Sequence, residues 1–157
     1  MVGAGAIGGL LAVKMAASGV DVHVITRGTH LEAIKEHGLR LIEGETETCA
    51  KVSATKEMTN IGTFDVVFIC VKGHQIAQIV DELNALCNEQ TVLVSTQNGI
   101  PWWYFQEADH IPQVTEQLKN HSIEAVDPGS VISSTLDPKR IIGCVVYPAA
   151  HIKAPGI

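Results

Sequence analysis

The feature that most constrains this 157-residue chain is a run of glycines at its start. Gly3, Gly5 and Gly8 have the spacing Gly-x-Gly-x-x-Gly, with only Met1 and Val2 ahead of them. In folds that use this spacing, the first glycine allows a tight turn out of a strand, the second lets the main chain approach a pyrophosphate, and the third lets a helix pack closely on the sheet. The spacing also occurs in ordinary turns, so the residues that follow decide its meaning.

The residues after the glycines alternate between helix and strand patterns. Residues 6–18 are rich in Ala, Leu, Met and Val and contain no proline, which predicts a helix. The alternating, β-branched residues 20–26 predict a strand. Thr29 and Glu32 then form a capping-box pattern, which predicts a short helix that stops at Gly38.

The rest of the chain continues this alternation. Residues 39–42 and 46–53 flank a Glu-Gly-Glu turn and predict a hairpin, while residues 64–71 form the nearly unbroken apolar run of a buried parallel strand. Apolar residues at helical spacing follow: Ile76, Ile79, Val80, Leu83 and Leu86. Residues 91–96 and 141–147 predict two further strands.

Alternating strands and helices predict an α/β fold with an open, doubly wound and mostly parallel sheet of the Rossmann type. With 46% hydrophobic and 18% charged residues, the chain has the composition of a single globular domain, which we place over residues 1–157. The strand before Gly3 is central in such a sheet, and only Met1 and Val2 stand in its place. We therefore expect a shortened first strand.

Charge and cysteine usage argue against several classes of function. The net charge is −6 and the 11 Lys and Arg residues are scattered, which argues against a nucleic-acid partner. No apolar run reaches the roughly 18 residues of a membrane span, and no signal peptide opens the chain, so we expect no membrane partner and a cytoplasmic location. The four cysteines form no Cys-x-x-Cys pair, and we expect no metal site.

The glycine run opens a predicted helix, whose free N–H groups and dipole favour an anion, so it predicts a dinucleotide site. The end of the second strand then distinguishes the cofactors, because an NAD site places Asp or Glu there. That position is occupied by Thr26-Arg27-Gly28, and no carboxylate lies between Val22 and Leu31. A guanidinium suits a 2′-phosphate, so Arg27 favours NADP(H). The alternative is an ordinary surface arginine.

Two later strands end in polar residues at the edge where ligands of open α/β sheets bind. Lys72 would bring a positive charge toward the cofactor or an anionic substrate. Asn98 offers both a hydrogen-bond donor and an acceptor near the nicotinamide end. The alternatives are a surface charge for Lys72 and a plain Asn-Gly turn for Asn98.

Together these motifs resemble the N-terminal domain of the ketopantoate reductase (2-dehydropantoate 2-reductase) family. The motifs are GAGAIGG at residues 3–9, Arg27-Gly28, Val-Lys-x-x-Gln at residues 71–75 and Gln-Asn-Gly at residues 97–99. The family reduces 2-dehydropantoate to (R)-pantoate with NADPH in pantothenate biosynthesis. The resemblance therefore implies an oxidoreductase with a small 2-oxoacid substrate.

The resemblance also implies roles for individual residues. It implies that the pyrophosphate is held by Gly3, Ala4, Gly5, Ala6, Ile7 and Gly8. It places Arg27 on the 2′-phosphate, and Lys72 and Asn98 at the nicotinamide-ribose end, with Asn98 beside the substrate. An alanine after the last strand also lines the cofactor in this family, and either Ala150 or Ala149, after the strand predicted at residues 141–147, matches it.

In the family, the catalytic lysine and most substrate contacts belong to a helical C-terminal domain that we do not find in this sequence. We therefore expect no catalytic residue in the chain, weak cofactor binding, and no reduction of 2-dehydropantoate by the chain alone. Exposed apolar surface should favour self-association into a homo-oligomer. Two alternative functions remain: a stand-alone dinucleotide-sensing module, or a related NADP-dependent dehydrogenase of another 2-oxoacid or an opine-type substrate.

Overall fold

The computed structural model describes residues 1–106 and 116–157. The helices of these parts are α1 (Ala6–Ala17), α2 (Gly28–His37), α3 (Gly73–Asn84) and α4 (Val131–Thr135), with short 3₁₀ turns at Pro128–Ser130 and Pro138–Arg140. The strands are β1 (His23–Ile25), β2 (Leu39–Glu43), β3 (Thr46–Ala50), β4 (Ser53–Thr55), β5 (Val66–Ile69), β6 (Val92–Ser95) and β7 (Ile141–Gly143). Across the described residues, no helix combines the length and the apolar character that a membrane span requires.

Val2 joins the strands into one parallel sheet. β1 pairs with β4, and β6 lies between β5 and β7, with all of these pairings parallel. Val2 forms parallel bridges to Ile25 of β1 and to Ile69 of β5. Its N–H donates to the Phe68 carbonyl and its own carbonyl accepts from the Cys70 N–H, both at 2.8 Å. The order is therefore β4, β1, Val2, β5, β6, β7, which confirms the open parallel α/β fold and the central place of the first strand.

Helices cover both faces of this sheet, as expected for a doubly wound fold. Successive residues of β1 point to opposite faces, so Val24 and Ile25 enter different clusters of buried side chains. The cluster containing Val24 includes Ala12, Val13 and Ile34 of α1 and α2. The cluster containing Ile25 includes Val67, Ile69, Ile76, Val80, Leu83 and Ile132, from β5, α3 and α4. Burying each of the Val, Leu and Ile side chains contributes about 1.5–3 kcal/mol.

The predicted capping box at Thr29 and Glu32 is wrong. The capping box would make Thr29 the N-cap, but the observed N-cap is Arg27, two residues earlier, with no hydrogen bond from a capping side chain. Gly28 has a φ of 65°, outside the right-handed helical range, so the chain turns at this first residue of α2, and glycine adopts this conformation at little cost. The predicted stop at Gly38 is confirmed.

The hairpin is confirmed, but its second strand is shorter than the predicted residues 46–53. β3 pairs antiparallel with β2 and ends at Ala50. Ser53 already belongs to β4, where it lies opposite His23 of β1. The chain therefore leaves the hairpin after Ala50 and enters the main sheet at Ser53, because β1 offers β4 a free edge for parallel pairing.

Candidate functional site

Two glycines of the opening turn are required by close packing. Gly3 has a φ of +95°, and a Cβ atom there would lie 2.9 Å from Val71 Cγ1. A Cβ atom on Gly8 would overlap the Gly3 carbonyl oxygen and lie 3.0 Å from Cys70 Cβ. These contacts agree with the roles predicted for the first and third glycines, a tight turn and close approach of helix to strand.

Gly5 differs from both, because it faces open space. No atom lies within 4 Å of the position that a Cβ would take there. Gly5 is the N-cap of α1, no side chain caps this end, and no acidic residue lies in the first turn. The first intrahelical hydrogen bond runs from the Gly9 N–H to the Gly5 carbonyl. The N–H groups of Ala6, Ile7 and Gly8 therefore have no acceptor within the helix. The arrangement is therefore an open, electropositive helix end that can accept an anion such as a pyrophosphate.

Two cavities border the glycine turn. The smaller cavity, of about 250 Å³, lies beside this helix end at the carboxyl ends of β5 and β6. Ile7 of α1 lines it, together with Lys72 after β5 and Asn98 after β6. Val146, beyond β7, also lines it. The structure thus brings together three of the residues predicted for the site, which are separated by many positions in the chain.

The side chain of Asn98 is hydrogen-bonded to the main chain of Val146. Its Nδ2 donates to the Val146 carbonyl at 3.2 Å, and its Oδ1 accepts from the Val146 N–H at 3.3 Å. An amide group has a second N–H and a second lone pair, so Asn98 keeps one donor and one acceptor for a ligand. Asn98 is exposed at the cavity and is held there by the segment after β7.

Lys72 is the N-cap of α3 and is exposed. Its main-chain N–H donates to Gln75 Oε1 at 3.0 Å, so Gln75 caps the helix from inside its first turn. Within the described residues, no carboxylate pairs with the Lys72 ammonium group. The charge is therefore available to an anionic group in the cavity.

Cys70 also lines the smaller cavity and was not singled out from the sequence. Burial raises the pKa of its thiol, so the group stays protonated and is a poor nucleophile. Nor do the described residues contain any group of His, Cys, Asp and Glu side chains that could hold a metal ion. The chemistry of the cavity therefore comes from neutral polar groups and from Lys72.

A larger cavity of about 550 Å³ also borders the glycine turn. Ala4, Gly5 and Ala6 line it, and so do both Ala149 and Ala150. Ala149 is exposed and Ala150 is half-buried. Either alanine can therefore contact a ligand at the turn, and the choice between them stays open.

Arg27 follows β1, whereas Lys72 and Asn98 follow β5 and β6. It is exposed at the start of α2 and lines neither the larger nor the smaller cavity. No carboxylate of the described residues pairs with its guanidinium group. Because β1 ends two residues before it, Arg27 lies at the carboxyl edge of the sheet, free to contact a ligand that extends beyond the glycine turn.

Comparisons with known proteins agree on one family. The family model described as "Ketopantoate reductase PanE/ApbA" matches residues 1–157. A 2-dehydropantoate 2-reductase of Mesorhizobium japonicum is 43% identical over 156 residues, which are 99% of this chain and 46% of that protein. Another from Pyrococcus horikoshii is 35% identical over 100 residues, 64% of this chain and 32% of that protein.

A solved structure extends the likeness to three dimensions. The crystal structure of a proposed ketopantoate reductase from Ralstonia solanacearum superposes with a TM-score of 0.87 at 32% identity. The match covers 99% of this chain and 46% of the other. The chain therefore spans less than half the length of the proteins to which it is similar.

Proposed function

This chain belongs to the ketopantoate reductase family, and from that membership we propose that it is the NADPH-binding part of a 2-dehydropantoate 2-reductase. The whole enzyme would reduce 2-dehydropantoate to (R)-pantoate for pantothenate and coenzyme A biosynthesis. The observation that carries the proposal is the open helix end at Gly5, adjacent to a cavity that holds Lys72 and Asn98.

The pyrophosphate would bind at the N-terminus of α1, at residues 3–8. Free N–H groups and the helix dipole attract its negative charge, and the missing side chain at Gly5 leaves room for it. Ala150 or Ala149 would contact the cofactor from the larger cavity. Gly5→Val should abolish binding, because a branched side chain would fill that room.

Arg27 would bind the 2′-phosphate and select NADPH over NADH. Its guanidinium is exposed, and in the described residues no carboxylate competes for it. A charge-assisted hydrogen bond to the phosphate would contribute about 1.5–3 kcal/mol, or about tenfold to a hundredfold in affinity.

The nicotinamide end would occupy the smaller cavity. When bound, NADPH supplies the hydride. Lys72 would offer its ammonium group to the nicotinamide ribose or to the carboxylate of the 2-oxoacid substrate. Asn98 would use its remaining amide donor and acceptor to orient the nicotinamide ribose and the substrate.

The proton for the substrate oxygen would come from outside this chain. The cavity residues include a thiol whose pKa is raised by burial, and we assign no catalytic role to any of them. Without a proton donor, acid catalysis worth about 10²–10⁴-fold would be lost.

We expect a cytoplasmic protein without a nucleic-acid partner, in agreement with its net charge of −6.

Cofactor titration tests the proposal. NADPH and NADH are titrated by calorimetry against the wild type, Arg27→Ala and, as a control, Lys51→Ala at an exposed position after β3. We expect NADPH to bind more tightly than NADH in the wild type and in the control, and the preference to disappear in Arg27→Ala. Equal affinities in the wild type would refute the assignment of Arg27.

A further inference from the structure

Gln97 connects the ends of two strands through its side chain. Its Nε2 donates to the Ile69 carbonyl at 2.6 Å and to the Val71 carbonyl at 2.9 Å. Its Oε1 accepts from the hydroxyl of Ser95 at 2.6 Å. The side chain is half-buried, and in these contacts it uses both N–H donors and one acceptor position of its amide.

These hydrogen bonds begin where the ladder between β5 and β6 ends. The last main-chain bond between the two segments runs from the Thr96 N–H to the Ile69 carbonyl. Val71 lies beyond it, and its carbonyl is held by the side chain of Gln97 instead. The next residue, Lys72, therefore leaves the sheet from an anchored position.

Asn98 follows Gln97 directly, beyond the end of β6. We infer that Gln97 is a positioning residue for the nicotinamide end of the site: it fixes the separation of Lys72 and Asn98 across the smaller cavity. The role rests on the proposed function, since it concerns the cofactor held there. Gln97 acts through the Val71 carbonyl on one side and through its own main chain on the other.

Substitution can remove this connection without changing the size of the side chain. Gln97→Glu would place carboxylate oxygens against two carbonyl oxygens and lose both donors. Gln97→Met would lose the same hydrogen bonds without adding a charge. The control is Gln90→Glu, which also replaces an amide by a carboxylate. Gln90 is exposed and lies before β6, at the opposite edge of the sheet.

The assay compares two ligands by calorimetry. NADPH reports the whole site, whereas 2′,5′-ADP carries the adenosine and the 2′-phosphate but no nicotinamide half. Because the smaller cavity would hold only the nicotinamide half, we expect both Gln97 variants to bind NADPH about tenfold more weakly. Their affinity for 2′,5′-ADP should stay within about twofold of the wild type, as should both affinities of Gln90→Glu.

Two results would overturn the positioning role. One is unchanged NADPH affinity in Gln97→Met, and the other is an equal loss for both ligands, which would indicate general loss of structure. Thermal unfolding of each variant is measured beside the titrations. A wild type that binds neither ligand would refute the proposed function itself, and this outcome differs from either result for Gln97.

Discussion

Gly5 and Gly8 belong to the same turn, but they should respond in opposite ways to the same substitution. In Gly8→Ala the new Cβ would overlap the Gly3 carbonyl oxygen and lie 3.0 Å from Cys70 Cβ. In Gly5→Ala the new Cβ would have no neighbour within 4 Å. The first change therefore tests how the helix packs on the sheet, and the second tests the space reserved for a ligand.

The expected magnitudes follow from these contacts. Overpacking costs about 1–3 kcal/mol, and Gly8→Ala should reach about 3 kcal/mol because a main-chain oxygen must move. For a domain of this size, that lowers the melting temperature by about 6–12 °C. In Gly5→Ala, the reduced entropy of the unfolded chain offsets a poorer N-cap, so stability should change by about 1 kcal/mol or less.

Differential scanning calorimetry and NADPH titration of both variants provide the test. We expect Gly8→Ala to unfold at a lower temperature. We expect Gly5→Ala to unfold near the wild-type temperature and yet bind NADPH at least about tenfold more weakly, because its methyl group occupies the pyrophosphate space. A stable Gly8→Ala variant would refute the packing argument, and normal binding by Gly5→Ala would refute the placement of the pyrophosphate.

Two further predictions concern pH and association. Burial lowers the pKa of His23, so the folded state disfavours its protonation and the chain should lose stability as the pH falls below about 6.5. In thermal melts, His23→Gln should reduce the loss of stability at low pH, and His37→Gln, at an exposed position, should not. An equal pH dependence of stability in the two variants would contradict this role of His23. Val145 and Tyr147 are 69% and 90% exposed, so we expect concentration-dependent self-association in sedimentation, reduced in Tyr147→Ser. A monomer at all concentrations would contradict this.

Much of the fold could be predicted from the sequence, because the relevant signals are local. Apolar spacing at residues 76–86 predicted α3, whose buried side chains are Ile76, Val80 and Leu83. The glycine spacing predicted the turn before α1, since only glycine fits a φ of +95° at Gly3 and the crowded position of Gly8. Steric limits of this kind act on the residue itself, so they appear directly in the sequence.

Contacts between distant segments were decided only by the tertiary structure. Val2 could be expected in the middle of the sheet, but the departure of β4 from the hairpin depended on the free edge of β1. The amide of Asn98 pairs with a main-chain segment 48 residues away, and Gln97 reaches carbonyls 26 and 28 residues before it. A polar side chain after a strand has many acceptors within reach, and only the packed sheet determines which of them it meets.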